Sequence, residues 1–249
     1  MRVRPFLHEK CQMRVDRIGT EGLPIIIIDN FLLDADQLVD YAAAAASFHR
    51  AAAMYPGVQA PVPAPYPLFA HFFTRRIIPE VFGFGGNDVI DCLCTFSMVT
   101  ARPDQVGVRQ RVPHTDFLDP NVVVILHYLF TNPHGGTSFY RHRGTGYETM
   151  GKDRQAHYET VLTQELAAAP PADYIAGDTP LFERIASYDA VFNRAIIYKS
   201  TFFHAATIGR DFSFDRNPRT GRLTANTTLY YGDANAFFGA PSAARVPAS

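Results

Sequence analysis

Apolar and polar residues alternate in two different ways along this chain. Before residue 88 the apolar positions sit in one aliphatic block or at helical spacing. LPIIIIDNF (23–31) predicts a strand that stops at an Asp-Asn turn. LDADQLVDYAAAAASFHR (33–50) predicts a helix, with Asp34 able to cap it and an alanine run of high helix propensity. YPGVQAPVPAPYP (55–67) carries five prolines and predicts an extended, irregular loop. PLFAHFFTRRIIPEVFG (67–83) returns to helical spacing and ends near glycines.

From residue 88 the pattern becomes short β-branched and aromatic runs cut by Gly, Pro, Asn and Asp. DVIDCLCTFSMVTA (88–101), NVVVILHYLF (121–130), GTSFYRH (136–142), AVFNRAIIYKS (190–200) and RLTANTTLYYG (222–232) predict five strands. One interruption, residues 144–190, reads as a helical insertion holding DRQAHYETVLTQELAA (153–168) and the shorter TPLFERIAS (179–187). Helices first and strands afterwards argue for an α+β layout: a double-stranded β-helix (jelly-roll or cupin-like) core buttressed by N-terminal helices. The expected organisation is a single domain over 1–249. In it, 1–87 supply an N-terminal strand and supporting helices, 88–232 the core, and 233–249 a tail.

Composition narrows the function classes. The 249 residues are 47% hydrophobic and 19% charged, which excludes a largely disordered chain. A net charge of −1 leaves no electrostatic footprint for nucleic acid or an anionic membrane. The longest aliphatic run, Ile25–Ile28, is far short of a membrane span, and MRVRPFLHEKCQM at the start has no apolar stretch of signal-peptide length. Cys11, Cys92 and Cys94 are sparse and odd in number, and read as reduced thiols in a cytoplasmic protein. Cys92 and Cys94 share a strand face, so a chelating pair is conceivable; buried core thiols are the favoured reading.

The candidate chemistry begins at VPHTDF (112–117). Along an extended chain positions i and i+2 point the same way, so His114 and Asp116 can meet one cation. Alone, this is equally well a local His–carboxylate hydrogen bond at a turn. STFFHAA supplies a second His, His204, at the end of a strand; a lone His there is usually a satisfied core residue. Taken together, two His and one carboxylate form the facial triad that leaves positions open on a non-haem iron, whereas a structural zinc site closes its shell with four protein ligands. His127 alternates with Tyr128 and should face the opposite side in a structural role; His134 flanks the same region; His142 should be exposed. The aromatic clusters FFTRR and STFFHAA read as core.

With these residues in place, the chain resembles the Fe(II)/2-oxoglutarate-dependent oxygenases, in their prolyl 4-hydroxylase-like branch. IIIIDNFLLDADQLVDYA is similar to the strand and helix that precede that catalytic core, HTD to its His-x-Asp, VVILHYLFTN with GGTSFYRH to its paired strands and Gly-Gly turn, and NRAIIYKSTFFHAA to the strand leading to the distal His. The chain is also similar to a bacterial family of unassigned function, which would supply no substrate. The oxygenase resemblance implies Fe(II) on His114, Asp116 and His204, with 2-oxoglutarate and dioxygen as co-substrates and hydroxylation of an organic substrate. Asp116 favours hydroxylation over halogenation, because a related halogenase needs a small residue there. The family also places an Arg or Lys at the opening of the strand after the distal His, to hold the far carboxylate of 2-oxoglutarate. Arg222 matches that position best and Arg210 second, with DFSFDRNPRTG (211–221) lengthening the connection. Tyr128 stands where the family often has a hydroxyl near that carboxylate; Thr137 and Asn226 could line the pocket.

The substrate class stays open between a small molecule and a peptide or protein side chain, and so does the oligomeric state. Residues 57–67 and 144–190 are expected to form substrate-selecting walls, since they interrupt the core pattern. Two other readings stand beside the oxygenase: a catalytically silent double-stranded β-helix protein that serves as a binding or scaffold module, and a cupin-like metal enzyme that uses no 2-oxo acid.

Overall fold

The computed structural model describes residues 5–51, 54–85, 87–131 and 135–233. Its strands are β1 Gln12–Ile18, β2 Leu23–Asp29, β3 His49–Arg50, β4 Gly57–Pro61, β5 Asp88–Val99, β6 Val122–Tyr128, β7 Thr137–His142, β8 Phe182–Tyr188, β9 Ala195–Lys199, β10 His204–Ala206 and β11 Leu223–Gly232. Its helices are α1 Asp36–Ala44, α2 Pro65–Thr74, α3 Ile77–Phe82 and α4 Lys152–Ala168. Eight strands form one sheet in the order β1-β2-β9-β6-β11-β5-β4-β3, and three form a second in the order β10-β7-β8. Every strand pairing is antiparallel. The protein is α+β, with mainly antiparallel sheets and few helices.

In the large sheet β2, β6 and β9 are largely apolar on both faces, and the two-residue period sorts their side chains. Ile25, Ile27, Val124, Leu126, Tyr128, Ile196 and Tyr198 pack with Phe139 and Tyr188 of the small sheet, so the sheets meet face to face. Ile26, Ile28, Ile125 and Ile197 point the other way, onto Ala70 of α2 and Ile78 of α3. The IIII run is therefore a strand buried on both sides rather than a membrane element. Among the described residues no helix is long and apolar enough to cross a membrane.

Several expectations change. The helix at 33–50 is only α1, and its N-cap is Ala35 with no side-chain cap bond; Asp34 Oδ2 instead accepts from Gln37 Nε2 at 3.1 Å. The proline-rich 55–67 loop contains β4, and prolines open α2, where their missing N–H groups cost nothing. The 67–83 helix breaks at Arg75–Arg76 into α2 and α3, and Gly83 ends α3 with φ 76°. Only α4 makes the 144–190 insertion helical, because TPLFERIAS folds as β8 on β7. Four of the eight large-sheet strands come from 1–87, so that segment builds the sheet as well as supporting it. His142 is fully buried rather than exposed, bonded to Glu165 Oε2 at 2.7 Å and Thr145 Oγ1 at 2.9 Å. Of the cysteines, Cys92 is exposed and Cys11 and Cys94 are half-buried. Desolvation, with the Asp91 charge beside Cys92, raises the Cys92 and Cys94 thiols to about 11 and about 12, and neither belongs to the cluster among the described residues that could hold a metal ion. His134 and nearly all of the 233–249 tail lie outside the described residues.

His127 faces the helices, as its parity requires. Asn193 accepts from the Leu32 N–H at 2.9 Å and donates to the Leu32 carbonyl at 2.8 Å, which fixes its amide. Its Oδ1 lies 3.0 Å from His127 Nε2, so that nitrogen carries the proton and Nδ1 accepts from the Tyr66 hydroxyl at 2.9 Å. Burial lowers the His127 pKa to about 4, with the Asn193 bond opposing only in part. The unfolded chain then binds the proton from about pH 6.5 downwards while the folded chain does not, so stability present above 6.5 is lost as pH falls towards 4. This one group should cost about 2 kcal/mol between pH 7 and pH 5. Urea unfolding at the two pH values checks it: His127→Gln should be less stable at pH 7 and show a shallower pH dependence, and an unchanged dependence would refute the assignment.

Candidate metal centre

Backbone hydrogen bonds bring the two halves of the site together. His114 and His204 form an isolated antiparallel bridge, with each N–H donating to the other's carbonyl at 2.9 Å. Two residues on, the Asp116 N–H donates to the Ser200 carbonyl at 2.9 Å. His114 and Asp116 consequently share a face, and His204 projects beside them. The imidazole Nε2 atoms of His114 and His204 lie 3.6 Å and 3.5 Å from the two Asp116 oxygens. One ligand atom from each of the three residues lies within 4.8 Å of the other two, and this is the group of three or more His, Cys, Asp or Glu among the described residues able to hold a metal ion.

The second sphere prepares the donors. His204 Nδ1 donates to the Phe202 carbonyl at 2.9 Å, which leaves the Nε2 lone pair for a cation. Tyr198 and Phe139 pack against the ring, with centroids 4.8 Å and 6.3 Å away. Burial lowers the His204 pKa to about 4, Asp116 opposing, so the ring is neutral and able to ligate. Burial works against the Asp116 carboxylate, but His204 and His114 beside it outweigh that and hold its pKa below the usual range. Side-chain exposure falls from 50% at His114 through 31% at Asp116 to 7% at His204, so the site is open on the His114 side.

A cavity of about 350 Å³ adjoins the triad. Among its lining residues are all three candidate ligands, Arg222, Thr137 and Asn226. Arg222 is only 3% exposed. Its Nε and Nη2 donate to the carbonyls of Gly135 and Gly136 at 3.2 Å and 3.0 Å, and among the described residues it meets no carboxylate. The Gly-Gly pair is needed there, since a Cβ on either would fall 1.7 Å from the carbonyl oxygen of Thr207 or Tyr188. Asn226 Oδ1 is buried without a hydrogen-bond partner among the described residues. Two expected residues do not line the cavity. Arg210 is 91% exposed and faces Asp173 at 3.8 Å, because its short turn leaves the sheet before Arg222 enters it. Tyr128 sits one layer behind, its hydroxyl donating to Thr137 Oγ1 at 2.8 Å; burial, eased by Arg222, raises its pKa to about 12 and keeps that proton in place.

Gln59 from 57–67, and Tyr174 and Ile175 from 144–190, also line the cavity. Sequence reading missed Tyr55, Arg109 and Arg111, which line it too. The two arginines stand at i−5 and i−3 from His114 in a short 3₁₀ turn, and proximity to the H-x-D segment was the one signal that could have found them.

Fold and site together define an α+β protein of antiparallel sheets with a candidate divalent-metal centre between them. The chain belongs to a family of unknown function (DUF6445), whose model matches residues 9–229. No curated protein matches it.

Anaerobic calorimetric titration of the metal-free protein with Mn(II) checks the centre. His114→Ala and His204→Ala should each lose about tenfold or more in affinity. Unchanged affinity in both variants would remove the centre.

Proposed function

We propose that the protein is a non-haem Fe(II)- and 2-oxoglutarate-dependent dioxygenase with a double-stranded β-helix (jelly-roll) core, hydroxylating an organic substrate. The carrying observation is the juxtaposition of the His114, Asp116 and His204 donors with a cavity that also holds the buried, carboxylate-free Arg222. The residues fit the absent groups. Two imidazoles and a carboxylate suit Fe(II) and leave coordination positions open. A planar guanidinium with no protein carboxylate beside it suits the far end of a dicarboxylate.

In this reading His114, Asp116 and His204 hold the iron, and Arg222 and Thr137 receive the distal carboxylate of 2-oxoglutarate. Bound iron, 2-oxoglutarate and dioxygen together supply the oxidising chemistry, which converts 2-oxoglutarate to succinate and carbon dioxide and hydroxylates a C–H bond. The chain's own part is positional. The Phe202 carbonyl fixes the His204 tautomer. Tyr128, through its bond to Thr137, orients that hydroxyl. The apolar wall of Val124, Leu126 and Ile208 limits water around the reacting groups. The cupin-like alternative, which uses no 2-oxo acid, gives the carboxylate-free Arg222 no anion to meet, which favours the oxygenase.

Turnover of 2-oxoglutarate to succinate, uncoupled from any organic substrate, tests this without knowing that substrate. Arg222→Ala should raise KM for 2-oxoglutarate more than tenfold, because losing a desolvated charge pair costs about 2–5 kcal/mol. Mn(II) affinity should barely change, since Arg222 is not a ligand, and Arg222→Lys should recover part of the loss. Arg210→Ala should behave as wild type. Neither turnover nor 2-oxoglutarate binding in wild type would return the protein to the silent-module reading.

A further inference from the structure

Arg111 lines the same cavity as the triad, three residues before His114. Its Nη1 donates to the carbonyls of Pro171 and Ala172 at 3.0 Å and 3.4 Å, and its Nη2 to the Val106 carbonyl at 3.0 Å. Its Nε is buried without a partner among the described residues. Of five N–H groups, then, Nε and one on Nη2 have no acceptor among the described residues, and Nε with Nη2 is one of the pairs through which a guanidinium forks a carboxylate. Among the described residues no carboxylate pairs with Arg111, whereas its neighbour Arg109 is neutralised by Glu159 Oε2 at 2.8 Å.

The charge balance of the loaded cavity makes this decisive. A divalent cation, the Asp116 carboxylate, the Arg222 guanidinium and a doubly negative 2-oxoglutarate cancel one another. Arg109 is cancelled by Glu159. Among the described residues the remaining lining carries no Lys and no Glu, and Arg111 is left there as the uncompensated cation. A partly buried charge facing only carbonyl dipoles gains more from an anion than from any neutral group.

We propose that the substrate carries an anionic group, a carboxylate or a group of like charge, and that Arg111 receives it as the specificity-determining residue. This rests on the oxygenase reading of the site. The guanidinium turns to present its Nε edge and gives up the Ala172 carbonyl, the longest of its three bonds. The Ile175 N–H bond to the Arg111 carbonyl, at 2.8 Å, keeps the backbone wall in place meanwhile.

The test uses two probes of equal shape, benzoate and benzamide, on protein loaded with Mn(II) and saturating 2-oxoglutarate without dioxygen. Paramagnetic relaxation of the probe protons reads how much of each reaches the metal. In wild type, benzoate should be relaxed about tenfold more than benzamide. Arg111→Gln should bring the two together, and Arg111→Lys should keep part of the preference. A residue that merely clamps the 171–175 segment would change both probes alike. Equal or absent relaxation of the two probes in loaded wild type, or a preference that survives Arg111→Gln, overturns the proposal. Should Arg111→Gln fail to fold, Arg111→Lys carries the test: benzoate relaxation falls severalfold with benzamide unchanged, and an unchanged ratio overturns it. Failure of wild type to take up Mn(II) and 2-oxoglutarate is seen before any probe is added, and it removes the oxygenase reading and this proposal together.

Discussion

The reciprocal backbone pair between His114 and His204 is the contact on which the site depends. Two segments 90 positions apart are held in register by two N–H···O bonds of 2.9 Å, with the Asp116–Ser200 bond two residues further on. A slip of one residue would turn Asp116 to the opposite face and separate the three donors. The register is secured from behind as well. Tyr140 donates to the Phe203 carbonyl at 2.9 Å, Phe203 to the Glu148 carbonyl at 3.0 Å, and Met150 to the Thr201 carbonyl at 2.8 Å. The segment 200–204 is thus tied to β7 and to the loop before α4, while the residues before it continue β9 of the large sheet. The candidate metal centre stands where the chain crosses from one sheet to the other.

Glu148 extends this support to the N-terminus. Its carboxylate is fully buried, accepts the N–H groups of Thr20 and Glu21 at 2.9 Å each, and pairs with Arg141. Burial opposes the charge, but these donors together hold its pKa below the ordinary carboxylate value. A charge taken out of water survives only when its lone pairs are met in this way. The turn between β1 and β2 is thereby fixed to the same loop that carries the Phe203 bond.

The strongly periodic parts of this architecture were legible in the sequence. β2, β5, β6, β7, β9 and β11 coincide with the apolar runs, because strands buried on one or both faces need β-branched and aromatic side chains whatever their neighbours. His127 was placed on the correct face by parity alone. The failures have physical causes. TPLFERIAS has spacing that suits a helix, yet pairing with β7 satisfies its backbone and buries Phe182 and Tyr188. β1 is mostly exposed and polar, so it exists through its partner β2 and carries no apolar signal of its own. His142 sits in YRHR, a run that looks solvated, but alternation along β7 turns it inward towards Glu165, a partner 23 positions away. Within the site, the triad and Arg222 could be ordered by strand context. Arg111 could not, because its partners are backbone carbonyls of a distant loop that have no sequence signature.

A further asymmetry separates the cavity from the rest of the interior. Among the described residues the buried Arg111 Nε and Asn226 Oδ1 lack a hydrogen-bond partner, and both belong to residues that line this cavity. Each unmet group costs about 1–3 kcal/mol against a satisfied one. Nearby, the inward-facing positions of β4, β5 and β11 are polar: Gln59 bonds Ser97 at 3.1 Å, and Thr224 bonds the Ser97 carbonyl at 3.2 Å. The opposite faces of the same strands carry Ala60, Phe96, Met98, Leu223 and Ala225. A sheet selected for stability alone would be as apolar within as it is beneath the helices. The polar interior and the unmet groups concentrate beside the His-Asp-His donors, where local rules yield to the needs of a ligand.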